Sequence, residues 1–174
     1  MTANVPTQPP ASSSASPPGR IDVLCVDDYP ALTDVMRRLI NAQPDMRCVG
    51  CLASADELAN EVRRLCTHPL PGPAPTENPT TNPTANPASN PVVVILDATM
   101  PGKNPFDAVR ELAAAFPHVK TIMYSGHNDR GMVDRAIDAG AWGCAAKGMD
   151  PTQVLHAVRE VVAGRVVFPG CGKM

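Results

Sequence analysis

The sequence predicts an α/β protein: an open, doubly wound parallel sheet of five strands interleaved with five helices. Three observations predict it. Short apolar runs alternate with segments whose apolar residues recur at helical spacing. One run, Val92, Val93, Val94, Ile95 and Leu96, is continuous and mostly β-branched, which suits a central parallel strand buried on both faces. The chain has 174 residues, 44% of them apolar and 3% aromatic, enough for one ordinary domain with a core of Val, Leu, Ile, Ala and Met.

The elements follow in order. Residues 21–26 form the first apolar run, read as a strand. Leu32, Val35, Met36, Leu39 and Ile40 then recur at spacings that put them on one helical face. Residues 46–52 read as a second strand. Ser54, Ala55, Asp56 and Glu57 match a capping box, opening a helix with Leu58, Val62 and Leu65 inward. After the run 92–96, residues 106–116 read as a helix that stops at Pro117. Residues 121–125 give the fourth strand. Met132, Val133, Ala136 and Ile137 mark a helix ended by Gly140. Residues 143–146 give a short fifth strand. Asp150 caps a last helix with Pro151 at its first position and Val154, Leu155, Val158, Val161 and Val162 inward.

Two stretches fall outside this pattern. Residues 1–19 are Pro, Ser, Ala and Thr with almost no large apolar group, and cannot bury enough surface to offset their ordering entropy. They are expected to be a disordered tail, and 171–174 a short second one. Residues 68–91 contain an Asn-Pro repeat with prolines at Pro79, Pro83, Pro87 and Pro91. Proline removes a backbone donor and pushes its predecessor to extended conformations, so this segment is expected to be a loop inserted into a domain spanning 20–170.

Charge and cysteine usage exclude several classes. The net charge is −2, and the pairs Arg37-Arg38 and Arg63-Arg64 are too short to make a nucleic-acid footprint, so no direct DNA binding is expected. No apolar stretch approaches a membrane span and no basic-then-apolar leader opens the chain, so a cytoplasmic protein without membrane contact is expected. Six cysteines occur. Cys25, Cys48, Cys51 and Cys144 lie in apolar runs and read as small buried hydrophobes. Cys48 and Cys51 spell C-x-x-C, but within a strand residues three apart point to opposite faces, which argues against redox or metal chemistry. Cys171 is expected to be an exposed free thiol.

Ligands of open parallel sheets bind at the carboxyl ends of the strands. Asp27 and Asp28 follow the first strand, Asp97 the third, Ser125 and Gly126 close the fourth, and Lys147 follows the fifth. Three carboxylates in one crevice repel one another unless a cation is present, and oxygen ligands of this kind suit Mg²⁺. A carboxylate at the centre of such a set can attack phosphorus, with the lysine and the hydroxyl stabilising the equatorial oxygens.

In these motifs the sequence resembles the response-regulator receiver family: Val26-Asp27-Asp28, Leu96-Asp97 running on to Met100-Pro101-Gly102, Tyr124-Ser125-Gly126, and Ala145-Ala146-Lys147. The ending Val162 to Phe168 is similar to the NarL/FixJ-type receivers that usually precede a DNA-binding domain. The resemblance implies the flavodoxin-like strand order 2-1-3-4-5. It implies Asp97 as phospho-acceptor, Mg²⁺ organised by Asp28 directly and by Asp27 through water, and a metal ligand in the Thr99 backbone carbonyl. Ser125 would bond the phosphoryl oxygen and Lys147 would pair with it. The implied donor is a histidine kinase or a phosphotransfer protein. In this reading the chain enzymatically acts only on its own phosphorylation state. Cys144 stands where the family usually carries Tyr or Phe, Pro105 where it commonly has Gly, and Gly148 where it often has Pro. Gly126 should leave room for an attacking water, and Thr99 and His127 flank the site.

Six residues follow Phe168, too few for a DNA-binding helix pair. A single-domain regulator acting through a partner protein is therefore expected, or one that forms a homodimer through helix four, strand five and helix five. The alternatives are a pseudo-receiver acting as a constitutive binding module and a truncated NarL-like transcription regulator. A haloacid-dehalogenase-type phosphatase is disfavoured, because Thr99 stands where that chemistry wants a second Asp.

Overall fold

Apolar runs and helical stripes take the order expected of them. The computed structural model describes residues 20–68, 90–126 and 129–168. Both tails, most of the Asn-Pro insertion, His127 and Cys171 lie outside the described residues. The elements are β1 (Ile21–Val26), α1 (Pro30–Asn41), β2 (Met46–Leu52), α2 (Leu58–Thr67), β3 (Val92–Asp97), α3 (Pro105–Ala115), β4 (Lys120–Ser125), α4 (Arg130–Ala139), β5 (Gly143–Ala146) and α5 (Pro151–Val162). The strands form one sheet in the order β2-β1-β3-β4-β5, every neighbouring pair parallel. All residues of β1 and β3 are buried, as continuous apolar runs require.

Pleat parity divides the core in two. Leu24, Val26, Val94, Leu96 and Met123 face one side, where Leu58, Val62, Val109, Leu112 and Ala136 of α2, α3 and α4 cover them. Val23, Cys25, Val93, Ile95, Ile122 and Tyr124 face the other, against Met36 and Ile40 of α1 and Val154, Val158 and Val161 of α5. The sheet is thus doubly wound. Two residues of the expected helical stripes are not in it: Val35 is 50% exposed and Ile137 44%. Each lies at the margin of a stripe wider than the sheet beneath it can cover.

Local chemistry sets the helix ends. Asn104, Asp129 and Asp150 cap α3, α4 and α5, accepting from the backbone N–H of Phe106, Met132 and Thr152 at 2.9, 2.8 and 2.8 Å. Pro105 and Pro151 occupy first-turn positions where their missing N–H is not needed. Gly140, at φ 89°, ends α4 in the left-handed region. The expected capping box of α2 does not form. Helix α2 starts at Leu58 without a side-chain cap, and Ser54 Oγ instead donates to Asp56 Oδ2 at 2.9 Å. Asp56 is committed elsewhere: its Oδ1 accepts from the Lys103 N–H at 3.0 Å, tying the β2–α2 loop to the β3–α3 loop.

The edge strand β2 departs from simple alternation. Val23 pairs with Cys48, but Leu24 pairs with Gly50, so Val49 is an extra residue at a bulge. That insertion reverses the parity between Cys48 and Cys51. Both now face the α1 side, in register with Val23 and Cys25, and their sulfurs lie 3.8 Å apart. The expectation of opposite faces is corrected by the bulge. Cys25 and Cys144 are buried as expected, whereas Cys48 is only half-buried and Cys51 is exposed.

Leu96 is fully buried in the central strand and immediately precedes Asp97. Leu96→Ala should cost about 2–5 kcal/mol of stability. The check is urea denaturation, where the midpoint falls and the slope is unchanged.

Candidate active site

Four strands deliver the chemistry-bearing side chains to one edge of the sheet. Asp27 follows β1, Asp97 ends β3, Ser125 ends β4 and Lys147 follows β5. Registration does this: Asp97 pairs with Tyr124 and Ser125 with Ala146, so the strands end level with one another. Backbone bonds continue the alignment past the strand ends, from Ala98 N–H to the Tyr124 carbonyl at 3.0 Å and from Lys147 N–H to the Ser125 carbonyl at 2.8 Å.

One carboxylate oxygen from each of Asp27, Asp28 and Asp97 lies within 4.8 Å of the other two. Asp27 and Asp97 are buried and Asp28 is exposed, so the cluster has a closed floor and an open side. Lys147 Nζ reaches across, 2.7 Å from Asp27 Oδ2 and 2.9 Å from Asp97 Oδ2. The remaining oxygens of these two acids accept local backbone N–H groups: Asp27 Oδ1 from Tyr29 at 2.9 Å and Asp97 Oδ1 from Thr99 at 3.0 Å. The second of these fixes the Asp97 carboxylate relative to the loop that carries Thr99.

The balance of charge is incomplete. Asp27 Oδ2 is buried and, despite its closeness to the ammonium, makes no hydrogen bond of proper direction. Burial, aided by the Asp27 charge, pushes the Asp97 carboxyl above its ordinary range, and Lys147 and the Thr99 N–H only partly oppose this. Burial draws Lys147 downward, but its contacts with Asp27 and Asp97 outweigh that and hold its ammonium above the usual value. The two buried carboxylates therefore share a single ammonium, with the exposed Asp28 beside them. Three converging carboxylates, two of them buried and served by one ammonium, are a donor set that fits a hard divalent cation.

The expected site residues Asp27, Asp28, Asp97 and Lys147 are thus brought together. Ser125 is buried at the end of β4, and Thr99 lies on the exposed loop after Asp97. A Cβ placed on Gly126 would meet nothing within 4 Å, so the open space there does not depend on glycine. Cys144 sits in the core, where burial pushes its thiol up to about 12. Trp142 packs on the α1/α5 side of the sheet beneath the Lys120 ammonium, 3.1 Å from its ring centroid. Sequence reasoning missed Asp56, which holds the loop after β3. Gly102 makes that contact feasible, because a Cβ there would come within 2.6 Å of the Asp56 carboxylate. Its pairing partner is a backbone N–H far along the chain, which leaves no mark in the sequence.

Comparison with known proteins agrees with this geometry. The model of the response regulator receiver domain matches residues 81–159, a stretch that starts inside the Asn-Pro repeat and runs from β3 into α5. The response regulator UvrY of Escherichia coli is 27% identical over 145 residues, covering 83% of this chain and 56% of its own length. Chemotaxis protein CheY of Thermotoga maritima is 37% identical over 69 residues, covering 40% of this chain and 58% of its own. The signal receiver domain of the response regulator NarL from Mycobacterium tuberculosis superposes with a TM-score of 0.67 at 18% identity, over 85% of this chain and all of that one. The chain spans about half the length of most curated relatives it matches. Strand order, converging strand-end residues and these matches point one way: residues 81–159 match the response-regulator receiver domain of two-component systems, and the described fold is similar to that of receiver domains.

Proposed function

We propose that the chain accepts a phosphoryl group on Asp97 from a histidine kinase or phosphotransfer protein and signals through a partner protein. The observation that carries this reading is the convergence of Asp27, Asp28 and Asp97 within 4.8 Å, with Lys147 Nζ against two of them. Asp97 Oδ2 attacks phosphorus while the phosphorus–nitrogen bond to the donor imidazole breaks, and the departing nitrogen takes back the electron pair. The Thr99 N–H keeps the other oxygen engaged, so the attacking oxygen is held in place. Lys147 then pairs with a phosphoryl oxygen and Ser125 bonds another, both close to where charge accumulates.

Asp27, Asp28, Asp97 and the Thr99 carbonyl would hold Mg²⁺, whose part is to offset the negative charge of the acids and of the phosphoryl oxygens. The chain's own enzymatic role is limited to its phosphorylation and dephosphorylation. Among the described residues no helix is long and apolar enough to cross a membrane, which suits a cytoplasmic place. The output surface in this reading is α4, β5 and α5, through which a partner or a second copy docks. With Cys144 buried in place of the usual ring, the change at Ser125 reaches that surface without an aromatic rotamer.

Incubation with acetyl phosphate and Mg²⁺ should add the mass of one phosphoryl group. Asp97→Ala should abolish the gain, and a chelator should suppress it in the unaltered chain. A wild-type chain that gains no mass under these conditions defeats the proposal.

A second expectation concerns stability in metal-free buffer. The Asp97 carboxyl titrates higher in the folded protein than in the unfolded chain. The native state therefore binds more protons through that window, and stability falls as pH rises through it. Ionised Asp97 thus destabilises the metal-free fold at neutral pH. Asp97→Asn should raise the thermal midpoint by a few degrees, on the order of 1 kcal/mol. The same substitution should reduce the further rise that millimolar Mg²⁺ gives the wild type. Calorimetry with and without the ion reads both effects.

A further inference from the structure

The bulge in β2 gathers three cysteines that the receiver chemistry does not use. Cys51 pairs in register with Cys25 on the neighbouring strand, and its sulfur lies 3.8 Å from that of Cys48. The Cys48 thiol donates to the Gly50 carbonyl at 3.3 Å, which turns it along the strand toward Cys51. Among the described cysteines Cys51 alone is exposed, while Cys25 and Cys144 are buried and Cys48 and Cys66 half-buried.

We propose that Cys51 is a site of oxidation by hydroperoxides, with Cys48 as the thiol that resolves it into a Cys48–Cys51 disulfide. In the first step the Cys51 thiolate attacks one oxygen of the peroxide. The S–O bond forms as the O–O bond breaks, and the departing hydroxide takes a proton and leaves as water. The peroxide gains two electrons and Cys51 becomes a sulfenic acid. In the second step Cys48 gives up its proton and attacks the Cys51 sulfur. The S–S bond forms, the S–O bond breaks, and hydroxide leaves with that proton as a second water.

The surroundings favour the first step. Cys25 stands beside Cys51 on the neighbouring strand, and its thiol is the main influence holding the Cys51 thiol down to about 6. The Cys48 thiol and the Arg37 charge add to this against burial and the Asp34 carboxylate. The second step needs the sulfurs to close from 3.8 Å to a bond of about 2.05 Å, with some shortening of the strand. The place offers that slack: β2 is an edge strand bonded only to β1, Val49 is the extra residue of the bulge, and Gly50 has no side chain to hold.

The test uses the reduced full chain and needs no phosphorylation. Hydrogen peroxide is added in stoichiometric amount, free thiols are blocked with iodoacetamide, and the chain is digested with trypsin. Cleavage at Arg47 and Arg63 places both cysteines on the peptide 48–63, and Cys25 on 21–37. The expected product is peptide 48–63 lighter by two hydrogens and carrying no alkyl group, restored by reductant. Cys48→Ser should leave a Cys51 sulfenic acid that dimedone traps, and Cys51→Ser should leave residue 48 unoxidised. Without peroxide, iodoacetamide at neutral pH should modify Cys51 about tenfold faster than Cys66. Equal rates, or a peptide 48–63 alkylated twice after peroxide, overturn the proposal. A cross-link between 21–37 and 48–63 overturns the role of Cys48.

Discussion

Three carboxylates at one end of a buried sheet repel one another, and the rest of the molecule holds them there against that repulsion. At about 4 Å and an effective dielectric constant near 20, each pair of like charges costs about 4 kcal/mol. The single ammonium of Lys147 contacts only two of the three, Asp27 and Asp97. What keeps the acids from spreading is the rigidity of their supports. Strands β1 and β3 are buried along their whole length and bonded on both sides, so Asp27 and Asp97 cannot retreat without breaking the core.

The opposite end of the same strand shows what a purely structural carboxylate looks like. Asp22, near the start of β1, is as buried as Asp27, yet it receives the Arg47 guanidinium on both oxygens, at 2.5 and 3.0 Å. Asp45 is likewise held by Arg159 at 2.8 and 2.9 Å, which pins α5 to the turn before β2. Planar forks of this kind satisfy a carboxylate fully. Asp27 and Asp97 share one point charge, and Asp27 Oδ2 keeps no properly directed hydrogen bond. Fully paired acids at one edge and under-paired acids at the other tell which edge is built for a ligand.

Much of this was legible in the sequence because it rests on short-range rules. Continuous apolar runs gave the buried strands, and Pro117, Gly140 and Asp150 with Pro151 marked three of the helix ends. The strand-end rule assigns Asp27, Asp28, Asp97 and Lys147 to one crevice from the sequence alone. What stayed hidden depends on partners far along the chain. Ser54 and Glu57 satisfy the capping-box spacing, but Asp56 between them is drawn to the Lys103 backbone, and the helix starts without that cap. Val35 and Ile137 fit a helical period, yet no period reveals how wide the covered stripe is.

The C-x-x-C string shows the same limit more sharply. Pleat parity is a counting rule, and it is valid only while each residue of a strand has its own partner. One unpaired residue, Val49, inverts every assignment beyond it and places Cys51 beside Cys25. The sequence offers a hint in Gly50, since glycine inside a strand often marks a bulge or a close approach. Here the approach is real: a Cβ on Gly50 would lie 3.0 Å from the Leu24 side chain. The bulge also sits close to the acidic cluster in bonding terms, because Leu52, the residue after Cys51, accepts the backbone N–H of Asp27 at 3.0 Å. The thiols on the edge strand and the acids at the sheet's carboxyl end are therefore connected through one residue and one hydrogen bond, so the shape of β2 bears directly on where Asp27 is held.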